Sequence, residues 1–396
     1  MADNVVPLWH AWGRGRPERT ANTSMTANPC PPWSDLFAHD DATGETVTLD
    51  MQMLRRDGEP MLLTPTRPRF AAVALSMYPA QRAKARLFRN ALRVIWSLGI
   101  PVPFEKLSVS IDPQAAFPKF VAQWAPTRSD IFPPFAILCG IPGRWRRFII
   151  LVFAPDGKPA SVVKAGMSAV PMRLIDQEVV FLKSVPPSTP SIPELRDSFE
   201  GEHVHALALN FVHGSSPSAE DHNGVERLLT SWLHKGEPQR LSEMPAWQAV
   251  ESACRSHPRW ESVAAVLRNR SVRPTVFHGD FAPWNIRASA RDGSWTVLDW
   301  ERGELTGIPG WDWFHYVFRS NILTEGMSLS EAGKQIHKLT SHPSFIHYSA
   351  IASIDGFHRE LFAAYLICYN VRYGLPENGP ELDELLLQLA VSWPTN

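Results

Sequence analysis

Cysteine is scarce in this chain of 396 residues: Cys30, Cys139, Cys254 and Cys368 stand far apart, with no CxxC pair. That excludes a disulfide framework and a thiolate zinc site, and leaves buried thiols in a reducing compartment. An excess of one charge is also missing. The 39 Lys and Arg face 40 Asp and Glu, for a formal net charge of -1. No strong field is present to gather nucleic acid or an anionic membrane, so neither is expected as a partner. No uninterrupted apolar run reaches membrane-spanning length. The opening MADNVVPLWH has an early acid and no apolar segment, so no secretory signal is expected either. The expectation is a soluble, cytoplasmic protein. Absent too are the GxSxG elbow of a serine hydrolase and the Asp-x-His and Gly-Asn-His motifs of a metallophosphoesterase.

What is present is an apolar fraction of 44%, ample for packed cores, with an ordinary 20% of charged residues. The length points to two or three units. Residues 1–35 carry Gly, Pro, Asn and Thr without periodicity and read as a loose leader. From Ala80 to Leu98, the residues Ala83, Leu87, Ala91, Val94, Ile95 and Leu98 fall at the spacing of a helix's apolar face, ended by Gly99 and Pro101. Leu107 to Ile111 alternates as a half-buried strand does.

A proline-rich passage from Pro126 to Pro134 marks a boundary. Beyond it, Phe135–Leu138, Phe148–Phe153 and Ala160–Lys164 read as three antiparallel strands, joined by the turns Gly140-Ile141-Pro142-Gly143 and Pro155-Asp156-Gly157. A helix over Met172–Leu182 follows, then apolar runs at Leu195–Phe199 and Val204–Val212. After Ala219 the signals are helical except for a strand-rich island over residues 274–298. The expected division is an N-terminal accessory region 1–134, a sheet unit 135–214 and a helical unit 215–396, an α+β order.

The chemistry concentrates in His278-Gly279-Asp280-Phe281-Ala282-Pro283-Trp284-Asn285, followed by Val297-Leu298-Asp299-Trp300-Glu301. Phosphoryl transfer asks a protein mainly to position an acceptor hydroxyl and to place metal ions against the phosphate oxygens. Asp280 supplies a carboxylate to take the acceptor's proton. Asn285, five residues on, and Asp299, at the end of the next strand, supply hard oxygen ligands that suit magnesium. An isolated HGD triplet would fit a turn capped by its aspartate. The offset of Asn285 and the apolar strand leading into Asp299 argue for the chemical reading.

HGDFAPWN with a downstream DWE resembles the catalytic loop and metal motif of the aminoglycoside phosphotransferase and choline kinase group, relatives of protein kinases. The resemblance covers residues 135 to 385. It implies a protein-kinase-like bilobal fold, with a small antiparallel sheet lobe, a mainly helical lobe, and an extra N-terminal region. It implies ATP and Mg2+ as cofactors, Asp280 as catalytic base, Asn285 and Asp299 as metal ligands, and His278 and Asp312 as structural supports. It also places the phosphate-covering loop at Gly140 and Gly143, the phosphate-gripping lysine at Lys164, and the adenine hinge at Phe211 and Val212. Glu178 is the expected partner of Lys164, with Asp176 as rival.

The function so implied is transfer of the ATP γ-phosphoryl group to a hydroxyl of a small molecule such as an aminoglycoside, a sugar or an amino alcohol. The competing reading is a kinase-like binding module that has lost transfer, and residues 1–134 are the part open to a protein partner. His203, His205 and His213 alternate along a strand but lack a carboxylate triad, so they read as surface histidines. Trp284, Trp300, Trp311 and Trp313 read as core packing.

Overall fold

The computed structural model describes residues 33, 36–37, 46–78, 83–126, 132–140, 142–143, 145–373 and 379–392. Apart from Trp33 and the boundary's flanks, the leader, Ile141 and most of the proline-rich boundary lie outside them. The described residues fall into two compact units, 33–183 with 193–212 and 184–192 with 213–392. The two are α+β in the expected order, a sheet unit followed by a mainly helical one.

The sheet unit is built on eight antiparallel strands: β1 (Val47–Arg56), β2 (Glu59–Pro65), β3 (Glu105–Ile111), β4 (Phe135–Cys139), β5 (Arg147–Phe153), β6 (Pro159–Gly166), β7 (Leu195–Glu200) and β8 (His205–Asn210). Their spatial order is β3-β1-β2-β4-β5-β6-β8-β7. The sheet is larger than the sequence suggested because β1, β2 and β3 join it, through the pairing of Leu62 with Leu138 and Leu63 with Ile137. Asp57 and Gly58, at φ 53° and 85°, make the β1–β2 turn. Two consecutive positive φ values give the turn whose twist suits a two-residue hairpin.

Side chains alternate across a strand, so a sheet covered on both faces is apolar throughout. Phe148, Ile150 and Val152 of β5 face one core with Phe117, Phe120 and Val121 of helix α3 (Ala116–Ala122). Leu151 and Phe153 face the other, with Phe70 of α1 (Pro68–Ala74) and Leu92 and Trp96 of α2 (Ala83–Ser97). The expected helix near Ala80–Leu98 is therefore present, but its buried residues are Leu92 and Trp96. Leu87, Val94 and Leu98 stand 73%, 59% and 70% exposed. The segment has two apolar stripes, and the sheet takes the one bearing the tryptophan. Helix α4 (Ala169–Ser184) completes this unit.

The helical unit contains α5 (His222–Ser231), α6 (Pro245–Cys254), α7 (Trp260–Leu267), α8 (Trp311–Ser320), α9 (Leu329–Thr340), α10 (Pro343–Ala352), α11 (His358–Tyr373) and α12 (Gly379–Ser392). Short antiparallel pairs sit among them: β9 (Gln239–Arg240) with β10 (Ser271–Val272), β11 (Thr275–Phe277) with β14 (Glu304–Gly307), and β12 (Ile286–Ala288) with β13 (Trp295–Val297). Trp300, Trp311 and Trp313 are buried, as expected, and Trp284 is half-buried. Among the described residues no helix is long and apolar enough to cross a membrane.

Candidate active site

Two groups of predicted site residues form, each within its own unit. In the sheet unit, Lys164 of β6 lies between Ile149 and Leu207 of the neighbouring strands. An ammonium ion at such a position needs a compensating charge. Its Nζ donates to Oε1 and Oε2 of Glu178 on α4, at 2.7 and 2.8 Å. Both residues are buried, Glu178 completely. Asp176, the rival, instead meets His205 Nδ1 at 2.8 Å.

Gly140 opens the β4–β5 connection and donates its N–H to Arg147 O at 2.7 Å. A Cβ there would stand 2.5 Å from that oxygen, so the close approach requires glycine. Gly143, at φ 120°, lies in open space. Phe211 and Val212 are half-buried just after β8. The Phe211 N–H donates to Ala160 O at 3.2 Å, extending the β6–β8 ladder.

In the helical unit, the segment between β11 and β12 is a loop with almost no freedom. Asp312, in the first turn of α8, accepts the backbone N–H groups of His278 and Gly279 at 2.8 and 3.0 Å. Gly279 has φ 78°, and a side chain there would press on Arg302. His278 Nε2 donates to Leu298 O at 2.9 Å, and its Nδ1 accepts the Asp280 N–H at 3.1 Å. That pattern requires the neutral imidazole, and burial pushes His278 down to about 4. The ring stacks edge-on against Trp300 at 4.6 Å between centroids, and Phe281 packs on Trp232 and Tyr316. Both His278 and Asp312 act as braces.

The loop presents Asp280, Asn285 and Asp299 together. Asn285 Nδ2 donates to Asp280 O at 2.9 Å and to Asp280 Oδ2 at 3.1 Å. The β12–β13 register pairs Ile286 with Val297, and the Leu298 N–H donates to Asn285 O at 2.7 Å. Asn285 therefore lies opposite the residue before Asp299. Asp299 has φ 73°, a left-handed conformation that is uncommon outside glycine and tends to mark functional sites.

Two further groups reach Asp280 that the sequence reading did not include. His315 Nε2 lies 3.1 Å from Asp280 Oδ1, and His315 Nδ1 receives the Tyr365 hydroxyl at 3.0 Å. Arg302 Nη1 stands 3.8 Å from the same Oδ1, with its guanidinium 4.0 Å above the Tyr373 ring. Burial alone would raise the Asp280 carboxyl; the His315 hydrogen bond and then the Arg302 charge outweigh it and hold it down at about 2. Burial keeps His315 itself below its ordinary value, hence neutral, despite the carboxylate. The arrangement is an ionised carboxylate with one oxygen turned to His315 and the other to Asn285.

Residues 212–312 match the sequence model of the phosphotransferase enzyme family. Over that segment the chain is similar to phosphotransferases. It runs from Val212 to Asp312 and contains Asp280, Asn285 and Asp299. Among solved structures, the chain is similar to an ethanolamine kinase of Plasmodium vivax, at 11% identity over 86% of this chain and 96% of that one, with a TM-score of 0.45. It is also similar to an aminoglycoside phosphotransferase of Streptomyces rimosus, at 15% identity over 58% and 90%, with a TM-score of 0.38. No curated protein sequence matches the chain.

The donor set of the phosphotransferase segment fits magnesium. Among the described residues no cluster of three or more His, Cys, Asp or Glu is arranged to hold a metal ion. Magnesium commonly takes one or two protein carboxylates and fills the rest of its shell with water and phosphate oxygens. Asn285 and Asp299 match that demand. His315 had one sequence signal, its place three residues after Asp312 on the same helical face. Tyr365, 50 residues further on, had none.

Proposed function

We propose that this protein is a kinase that transfers the γ-phosphoryl group of ATP to a hydroxyl of a small molecule. The observation that carries the reading is the Asp280 carboxylate, held by His315 on one oxygen and by Asn285 on the other, beside the hard-oxygen pair Asn285 and Asp299 within the segment that matches the phosphotransferase family model. When bound, magnesium–ATP supplies the phosphoryl group and the cation that neutralises its charge. In this reading Lys164, paired with Glu178, would hold nucleotide phosphates, and Asn285 and Asp299 would hold the metal. Asp280 would receive the proton that leaves the acceptor hydroxyl as its oxygen bonds to the γ-phosphorus and the bond from that phosphorus to the ADP oxygen breaks. His315 and Asn285 keep the two carboxylate oxygens from rotating, which favours a single direction of approach for the hydroxyl.

Titration calorimetry of ATP binding with and without magnesium, repeated on Asp299→Ala, tests this without knowledge of the acceptor. Magnesium-dependent binding that the substitution abolishes supports the reading. A folded protein that binds no nucleotide overturns it in favour of a binding module without transfer activity.

A further inference from the structure

The near-zero net charge hides a local segregation. Between Glu59 and Glu105 the chain has no acidic residue and seven Lys or Arg, four of them, Lys84, Arg86, Arg89 and Arg93, on helix α2. Among the described residues none of these four has an acidic partner within an ion pair. Burial, and then the charges of Arg93 and Arg86, hold the Arg89 guanidinium below its ordinary value.

The same helix turns an apolar face outward. Leu87, Val94 and Leu98 recur at intervals of seven and four, and Phe88 and Ile95 stand beside them, 50% and 36% exposed. Ile100, just past the helix, is also exposed. Leu92 and Trp96, by contrast, anchor α2 to the sheet. At about 100° per residue, Lys84 falls within the exposed stripe, and Arg86 and Arg93 lie about 80–100° beyond its Val94 edge. Soluble proteins rarely leave so contiguous an apolar patch in water.

We infer that α2 is an interfacial helix, by which the protein docks on the surface of an anionic lipid bilayer. A helix with an apolar stripe and a cationic flank lies in the headgroup region with its apolar side inserted, and anionic lipids draw the flank. The alternatives fit the chemistry less well. Nucleic acid would be met with polar and aromatic contacts, not with Leu, Val and Ile. A second copy of this chain would bring two uncompensated arrays of positive charge together. The inference concerns anchoring alone and stands apart from the proposed reaction.

The test is sedimentation of the full chain with phosphatidylcholine vesicles, with and without phosphatidylglycerol, at low salt. The wild type is expected to partition onto the anionic vesicles and not the neutral ones. Each basic residue near an anionic leaflet is worth roughly fivefold in partitioning, so Arg86→Gln with Arg93→Gln should weaken binding about 25-fold. Leu87→Gln, Val94→Gln and Leu98→Gln together should abolish it, and all these positions are exposed, so folding should survive. The inference fails if the wild type ignores anionic vesicles or if the triple variant binds them undiminished. It fails equally if light scattering finds a dimer that the triple variant dissociates, or if duplex DNA binds as tightly as vesicles and the triple variant retains it.

Discussion

His315 Nε2 meets Asp280 Oδ1 at 3.1 Å, and the imidazole is itself held from behind by the Tyr365 hydroxyl. The carboxylate proposed to receive the acceptor's proton is thus oriented by a buried neutral histidine, whose tautomer a phenol determines. A hydrogen bond to a charged group contributes about 1.5–3 kcal/mol. His315→Phe should therefore lower turnover about 10- to 100-fold while nucleotide affinity holds. It should also shift the acid limb of the pH–rate profile upward, because Asp280 loses the contact that lowers its pKa. His315→Gln, which retains a donor, should recover part of both effects. An unmoved acid limb in His315→Phe would refute the positioning role.

Asp280→Asn should cut turnover by roughly 10²–10⁴-fold, the usual contribution of positioned proton transfer. Magnesium–ATP binding should persist, since the phosphate and metal groups are untouched. Full activity in the variant, measured by ADP release, would remove Asp280 from the base role.

The Lys164–Glu178 pair makes a stability prediction independent of catalysis. Removing one partner of a buried pair leaves a lone charge in an apolar setting, at a cost of about 3–5 kcal/mol. Lys164→Met should lower stability by that order in chemical denaturation. The double substitution Lys164→Met with Glu178→Leu should restore most of it, although nucleotide binding stays lost. Equal stability of the single and double variants would show that the two charges are not coupled.

Asp312 and Asp280 pull the pH dependence of stability in opposite directions. Burial raises the Asp312 carboxyl to about 7, even against the two N–H groups it accepts. A raised folded-state value means stability that is complete below the unfolded value of about 4 and lost as pH rises through about 7. Asp280, depressed to about 2, contributes stability present above about 4 and lost as pH falls through about 2. Asp312→Asn should therefore flatten the decline in melting temperature between pH 4 and 7. It should also cost stability at pH 4, since an amide accepts through only one oxygen and leaves one buried N–H unpaired, worth about 1–3 kcal/mol. An unchanged slope would mean Asp312 is ionised throughout.

The sequence by itself determined the parts of this protein that lie close along the chain. Asp280, Asn285 and Asp299 are separated by a loop and one hairpin, so backbone hydrogen bonds such as Leu298 N–H to Asn285 O leave little freedom in their arrangement. Lys164 was legible because a cation in an apolar strand demands a partner. The tertiary structure decided what local pattern leaves open. Glu178 and Asp176 sit two residues apart on one helix, about 200° around its axis, and only packing against β6 turned the first inward. The β1–β3 strands joined the sheet through an edge that no local signal advertises, since pairing is set by the neighbour's exposed N–H and C=O groups. On α2 the periodicity offered two apolar stripes, and burial of Leu92 and Trp96 against the sheet left Leu87, Val94 and Leu98 in solvent. His315 reaches Asp280 with Tyr365 behind it because α8 and α11 pack together, and the hydrogen bond joining His315 to Tyr365 spans 50 residues of chain.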